Sequence, residues 1–207
     1  VATDGILTSL GNLQSVEEDI EASNNSSSCK TKAIWKIPKQ LDNGGAASVV
    51  VDSRGTAHFC YLSNSYGGQL IYSKLNHGIL DRQIIDSSYY NSTPAIAVDK
   101  DNTLHIVYGQ GETQWDTERK IMYVSYKTGV WSEPKIVVDN AGEARSLCIK
   151  TDKNDSVHIS YMTSLWANGS LWYSKKQGTW TNTLIKTGSY NSSSFDLDTA
   201  CLLYTSP

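Results

Sequence analysis

The sequence predicts an all-β fold of repeated four-stranded antiparallel blades, and three observations predict it. Three segments align on one pattern: Ser48–Leu62 (SVVVDSRGTAHFCYL), Ala95–Gly109 (AIAVDKDNTLHIVYG) and Cys148–Met162 (CIKTDKNDSVHISYM). Each reads small residue, three strand-like residues, Asp, five residues, then His-x-x-Tyr. A companion pattern follows each of them, in Gln69–Asp86, Lys120–Asp139 and Ser170–Lys186: Leu/Ile-x-Tyr, a Gly-containing turn, then an apolar stretch with Ile or Val near its end. The marker histidines His58, His105 and His158 recur roughly every 50 residues, the kind of period that signals stacked supersecondary units. Four antiparallel strands at that spacing are the blades of a β-propeller. One such blade cannot bury both of its faces, so it must stack on neighbours.

Taken in chain order, residues 1–28 do not fit the repeat. Ser15 with Glu18 forms a capping-box pattern at Val16–Ala22, read as a short helix or a degenerate blade. Ser23–Ser28 reads as a linker. The propeller portion spans 29–207, and Ala33–Asp42 matches strand four of a blade whose earlier strands are not recognisable. Three complete blades follow at about 46–93, 94–145 and 146–193. Strand one is Val49–Asp52, Ile96–Asp99 and Ile149–Asp152, and strand two is Ala57–Tyr61, Leu104–Tyr108 and Val157–Tyr161. Both are apolar and β-branched or alternating, as half-buried strands are. The polar turns between them (SRGT, KDNT, KNDS) have the Gly, Asn and Asp that tight hairpins require. Strand three is the Leu/Ile-x-Tyr segment, and strand four follows Gly78, Gly129 or Gly178.

Ser48, Ala95, Cys148 and Ser194 open the successive first strands, and their small size suits the crowded axis where innermost strands converge. A next blade starts at 194–200: Ser194–Asp198 matches strand one, but Tyr204 stands where the next His is due. The tail CLLYTSP resembles a translated sequencing adapter more than protein, which places the true end near Ala200. The chain therefore reads as a propeller fragment with partial blades at both ends. Open terminal faces and unpaired strand edges predict self-association that closes a ring.

Composition narrows the function classes. Net charge is −3 with no basic stripe, which argues against nucleic acid. No run of about 18 apolar residues is present to cross a membrane as a helix. Twelve Tyr and six Trp against two Phe favour half-wet strands and recognition surfaces, because both rings have a polar handle on an apolar body. The four cysteines, Cys29, Cys60, Cys148 and Cys201, form no C-x-x-C pair, so no zinc site is expected. Cys60 and Cys148 are expected to be small strand residues. Sequons at Asn24, Asn25, Asn91, Asn154, Asn168 and Asn191 point weakly to an extracellular setting.

The Asp-x-x-Gly-x-x-His-x-x-Tyr unit with Leu-x-Tyr-Ser and Gly-x-Trp resembles repeats of bacterial and archaeal surface proteins of propeller type. It is also distantly similar to the Asp-box repeats of sialidases, whose pattern has Trp near the place of His58, His105 and His158. The resemblance covers Ala33 to about Asp198. It implies the fold, and not a function, since propellers host unrelated activities.

No catalytic residues, metal ligands or cofactor are predicted. The recurring histidines are expected to do one structural job per blade, each ring bonded to a neighbouring strand. Asp52, Asp99 and Asp152 are expected to accept backbone N–H bonds in their hairpins. Asp99 with Asp101, and Asp152 with Asp155, lack the loop of oxygen ligands that calcium needs. Arg54, Arg82, Arg119 and Arg145 share no repeat position, so the arginine cluster and acid pair of a sialidase-like glycosidase are not assembled.

Loop geometry carries the functional expectation. Loops one-to-two and three-to-four are short and open on one face, while loops two-to-three and four-to-one vary in length and open on the other. Tyr66, Trp115 and Trp166 fall in loops two-to-three, and Tyr89, Tyr90 and Tyr190 in loops four-to-one. Variable loops on a rigid frame collect binding residues, and exposed Tyr and Trp anchor sugars and protein partners. The alternative is that these rings pack over blade edges. The expected function is thus a non-catalytic extracellular or cell-surface recognition or adhesion propeller for glycan or protein. The alternative is a sialidase-like glycoside hydrolase with catalytic residues partly in missing blades.

Overall fold

A computed structural model describes residues 40–64, 68–76, 79–113, 116–164, 169–188, 196–197 and 203–204. The expectations for 1–28, for most of the strand at 33–42, and for Cys29, Ser194 and Cys201 lie outside the described residues. The chain divides into two units at Leu41/Asp42, and the fold set out below is that of the second.

Every regular element among the described residues is a strand. Blade one has β1 (Gly45–Val51), β2 (Ala57–Leu62), β3 (Gly68–Asn76) and the first half of β4 (Ile79–Val98). Blade two has the second half of β4, then β5 (Leu104–Gln110), β6 (Lys120–Lys127), β7 (Val130–Trp131) and β8 (Lys135–Val138). Blade three has β9 (Arg145–Thr151), β10 (Val157–Met162), β11 (Ser170–Gln177) and β12 (Thr179–Thr187). All pairings are antiparallel, and all but β6 with β8 join neighbours in sequence, giving four-stranded antiparallel blades of propeller type.

Two features depart from the sequence reading. Strand four of blade one and strand one of blade two form a single strand, β4, whose first half pairs with β3 and whose second half pairs with β5. Tyr89 and Tyr90, expected in a loop, are therefore in a strand. Strand four of blade two is split into β7 and β8, with Pro134 between them; proline has no N–H to give to a ladder.

The hairpin from strand one to strand two is built the same way in all three blades. The Asp side chain accepts two backbone N–H bonds: Asp52 from Arg54 and Thr56 at 2.9 and 2.8 Å, Asp99 from Asp101 and Thr103 at 3.0 and 2.7 Å, Asp152 from Asn154 and Ser156 at 2.8 and 2.9 Å. The third residue after each Asp is left-handed, with φ of 81° at Gly55, 60° at Asn102 and 61° at Asp155. Gly, Asn and Asp are the residues that tolerate this conformation, which explains the composition of the turns. A second left-handed residue recurs at the entry to each strand one, at Ala46, Thr93 and Ser146, with φ of 48°, 40° and 49°. Each coincides with a register shift, so every blade begins on a bulge. Ala, Thr and Ser have no special tolerance for that backbone, so the sequence did not signal these bulges.

The hydrophobic core lies in the seams between blades. Cys60, Leu70 and Tyr72 of blade one meet Ile96, Ile106, Tyr108 and Met122 of blade two. Val107, Ile121 and Tyr123 of blade two meet Ile149, Ile159 and Tyr161 of blade three. Alternate residues of β5 thus face opposite seams, as the period of two requires. Cys60 is a fully buried thiol of the first seam, and burial pushes its pKa far up, which suits the expected packing role.

Each seam is closed by a tryptophan from strand four of the later blade. Trp131 sits edge-on to Tyr72 at 5.0 Å and donates from Nε1 to Gln83 at 3.0 Å. Trp180 sits edge-on to Tyr123 at 5.3 Å, and Lys176 Nζ lies 4.5 Å over the same ring. A second tie runs from strand two to the end of the preceding strand four: Tyr108 O–H donates to Asp86 at 2.8 Å. Tyr61 O–H makes the corresponding bond to Asp42 at 2.5 Å. Tyr161 departs from this and stacks on Trp172, its pKa pushed up to about 12 by burial.

β13 (Asp196–Leu197) and β14 (Leu203–Tyr204) pair antiparallel, Asp196 with Tyr204 and Leu197 with Leu203. Counted from Asp198, this is the register in which Val50 meets His58 and Val51 meets Ala57, so Tyr204 occupies the histidine position of the repeat.

Candidate functional site

The recurring histidines are the first chemistry to place. In blade one, His58 Nδ1 is 2.8 Å from the Tyr72 hydroxyl and Nε2 is 3.3 Å from Asp52 Oδ2. Blade two repeats this with Tyr123 at 2.7 Å and Asp99 at 3.2 Å, and blade three with Tyr173 at 2.6 Å and Asp152 at 3.0 Å. The partner strand is strand three in every case, two registers off the direct pair: His58 faces Lys74, and Tyr72 faces Cys60. The Leu-x-Tyr motif therefore supplies the histidine's second bond, a partner that sequence reasoning did not name.

Charge and tautomer follow from burial. Burial pulls the His105 pKa below its usual value and outweighs the pull of Asp99, so the ring is neutral at pH 7. An ionised Asp only accepts, so Nε2–H donates to Asp99 and Nδ1 must accept the Tyr123 O–H. Lys176 Nζ lies 3.4 Å from the Tyr123 oxygen, which extends the donor chain. Burial alone would raise Asp152, but His158 and the Ser156 and Asn154 N–H groups hold it at about 2. These chains have every ring nitrogen committed and are only 3–11% exposed at their Asp and His side chains. They brace the hairpins and present no open position to a substrate. Among the described residues there is also no group of three or more His, Cys, Asp or Glu able to hold a metal.

Among the described residues, two concavities stand out. A cleft of about 660 Å³ runs along the three innermost strands, between Ala47–Val51, Pro94–Val98 and Leu147–Thr151. Ser48, Ala95 and Cys148 do line it, as the axis argument expected, but its walls are mainly aliphatic side chains and backbone and give a ligand few groups for orientation. The second is a hollow of about 480 Å³ at the long-loop end, lined by Ser88, Gln110, Gly111 and Lys120 with the acids Glu112, Asp116 and Glu118. It is smaller and far richer in polar groups, so it is the stronger candidate.

The hollow is held from below by Arg119, which is 4% exposed. Its guanidinium donates to the carbonyls of Tyr90 at 2.6 Å and Thr113 at 3.1 Å. Burial, then the neighbouring Arg145, lowers its pKa. Asp116 folds the loop by accepting from the N–H and hydroxyl of Thr113 and from the Glu112 N–H. Gly111 is required here: a Cβ would come within 2.7 Å of Asp116 and 2.8 Å of Arg119. Behind the lining residue Gln110, Asp86 accepts from Tyr108 and Gln110, both at 2.8 Å. Asn91 is fully buried and donates to the Ser88 carbonyl at 2.9 Å, while its Oδ1 has no partner.

Of the six aromatic residues singled out by sequence, Tyr90 is described with its side chain, 39% exposed, and its carbonyl anchors the hollow. The backbone of Tyr89 lies beside it in β4. Tyr66, Trp115, Trp166, Tyr190 and the side chain of Tyr89 lie outside the described residues. Sequence reasoning missed the buried Arg119. It also treated the arginines as unrelated, whereas Arg145 acts on Arg119 electrostatically and pairs with Glu143 at 3.3 Å.

No protein-family model and no curated protein matches the sequence. Among solved structures the chain is similar to an ulvan lyase of polysaccharide lyase family PL25, bound to -[GlcA(1-4)Rha3S]-, at 12% identity and a TM-score of 0.46. That match covers 66% of this chain and spans 42% of the lyase. The chain is also similar to a fucose lectin from Kordia zhangzhouensis, in complex with methyl-fucoside, at 16% identity and a TM-score of 0.40 over 70% of this chain and 98% of the lectin. At these values the likeness assigns no activity to the chain.

Proposed function

We propose that the chain is a non-catalytic recognition propeller of the extracellular or cell-surface kind, binding a glycan through its long-loop end. The observation that supports this best is the contrast between the ends of the blades. At the short-hairpin end the recurring Asp and His of each blade are consumed by the fold. At the long-loop end a polar hollow is tied through Arg119 to the Tyr90 carbonyl, Tyr90 itself being 39% exposed, and Trp115 falls in the same loop of the sequence as Glu112 and Asp116. An aromatic ring beside hydrogen-bonding groups is the arrangement that sugars stack on and bond to. By their places in the sequence, Trp166, Tyr66, Tyr89 and Tyr190 are included in the proposal.

The second reading is a sialidase-like hydrolase, favoured only by the nearness of Arg119 and Arg145. It ranks lower because two N–H groups of Arg119 are already committed to backbone carbonyls. A surface-protein ligand and ring-closing self-association remain part of the proposal.

A glycan array with the wild type and with the Tyr90→Ala, Trp115→Ala and Trp166→Ala triple variant tests the reading. Binding should fall by tenfold or more in the variant, a loss of about 1.4 kcal/mol, while the strand signal in circular dichroism is kept. Binding that is absent in the wild type, or unchanged by the substitutions, would sink it.

A further inference from the structure

From the charge around the hollow we infer the class of ligand: an uncharged, hydroxyl-rich saccharide, with uronate and sulfated chains turned away. This inference rests on the recognition reading above. Three carboxylates line the hollow, from Glu112, Asp116 and Glu118, against one ammonium, from Lys120. Lys120 is itself 3.6 Å from Asp139, which offsets its charge. The nearest guanidinium, Arg119, is buried beneath and held by two carbonyls, so it is not offered to an anion. An anionic sugar would thus meet an excess of like charge, with Lys120 the one lining cation and shared with Asp139, and juxtaposed like charges act against the wrong partner.

The same groups suit a neutral polyol. An ionised carboxylate only accepts, and hydroxyl donors are what it lacks. The Asp116 carboxylate is already engaged by its own loop. Glu112 and Glu118 are exposed, and their side chains make no hydrogen bond or ion pair among the described residues. They line the hollow with Gln110 and Ser88, next to the segment whose Gly111 N–H and Arg119 guanidinium bond the Tyr90 carbonyl. Sugar O–H groups donating to Glu112 and Glu118 form charge-assisted bonds, roughly twice as strong as neutral ones. Because the ligand itself has no charge, salt should barely alter the affinity, in contrast to ion pairing.

Affinity gel electrophoresis tests this with neutral polymers (dextran, mannan, galactan and xylan) and acidic ones (dextran sulfate, alginate and hyaluronan). The wild type should be retarded by at least one neutral polymer, equally at low and high salt, and by none of the acidic ones. Glu112→Ala with Glu118→Ala should weaken that retardation by tenfold or more, since a single charge-assisted bond is already worth about tenfold and two are removed, with the melting temperature unchanged. Tyr90-dependent, salt-sensitive retardation by an acidic polymer would overturn the inference and leave the recognition reading standing. So would neutral binding indifferent to both glutamates. Retardation by no polymer would remove the glycan reading and this inference together.

Discussion

The two ends of the blades follow opposite rules. At the short-hairpin end, three copies of one device repeat almost atom for atom: an Asp capping its turn, a His donating to that Asp, and a Tyr donating to the His. At the long-loop end the described connections differ more, although Ser63 with Gln69 and Thr163 with Ser170 clamp β2–β3 and β10–β11 alike. β4 runs straight through, Glu143 and Ala144 are stitched to Thr163 and Ala141, and the segment after β5 folds over Arg119. Repetition marks what each blade needs in order to stand. Variation marks what need not be the same in each blade, and binding residues are free to differ there.

The sharpest way to break this comparison is to remove a short-end carboxylate. Asp99→Ala strands the N–H groups of Asp101 and Thr103 and the His105 ring in a site 7% exposed. It should cost about 3 kcal/mol or more in denaturant unfolding, since buried partners of a lost charge stay unsatisfied. A cost under about 1 kcal/mol would mean the chain is ornamental.

The seam tryptophans come next. Trp131→Ala removes the edge contact on Tyr72 and the bond to Gln83 and should cost about 2–3 kcal/mol, less than a fully buried Trp because the ring is only half-buried. Trp180→Ala should cost a similar amount through Tyr123. Equal melting temperatures for wild type and both variants would contradict the seam account.

Acid should loosen the same end in two stages. The pKa of His105 is lowered by burial, so its stabilising neutral form is complete above the unfolded value near 6.5 and is lost as pH falls below it. Asp152 is held at about 2, so its contribution is complete above 3.8 and disappears as pH falls from there towards 2, roughly 2 kcal/mol in all. Unfolding midpoints measured from pH 8 to 2 should therefore fall monotonically. A midpoint that rises on acidification between pH 7 and 5 would reverse the sign.

How far the sequence could be read follows the same division. The spacing of Asp and His was legible because a hairpin fixes both positions on adjacent strands, and identical hairpins repeat identical spacings. Gly55, Asn102 and Asp155 announced the turns because few residues accept a left-handed backbone. The Tyr72, Tyr123 and Tyr173 partners were visible as a motif, but their role depends on a diagonal across strands that one-dimensional spacing does not encode. The bulges at Ala46, Thr93 and Ser146 use residues with no turn preference, so nothing in the sequence announced them. At the long-loop end, Tyr90 was found by residue type alone and misplaced in a loop. Arg119 was not found, because a buried arginine satisfied by backbone carbonyls looks like any surface arginine in sequence.

The smallest expected effect on stability belongs to the long-loop end. Tyr90→Ala should change unfolding free energy by no more than about 0.5 kcal/mol, as for substitutions away from buried networks.

The most direct test sets the two ends against each other in one experiment. Melting temperature and retardation by the best neutral polysaccharide would be measured on the wild type, on His105→Ala, and on Tyr90→Ala with Trp115→Ala. The account predicts that His105→Ala melts several degrees lower yet is retarded like the wild type at a temperature where it is folded. It predicts that the aromatic variant melts like the wild type and is no longer retarded. Folded His105→Ala that has lost retardation, or an aromatic variant that keeps it, would contradict the assignment of stability to one end and recognition to the other.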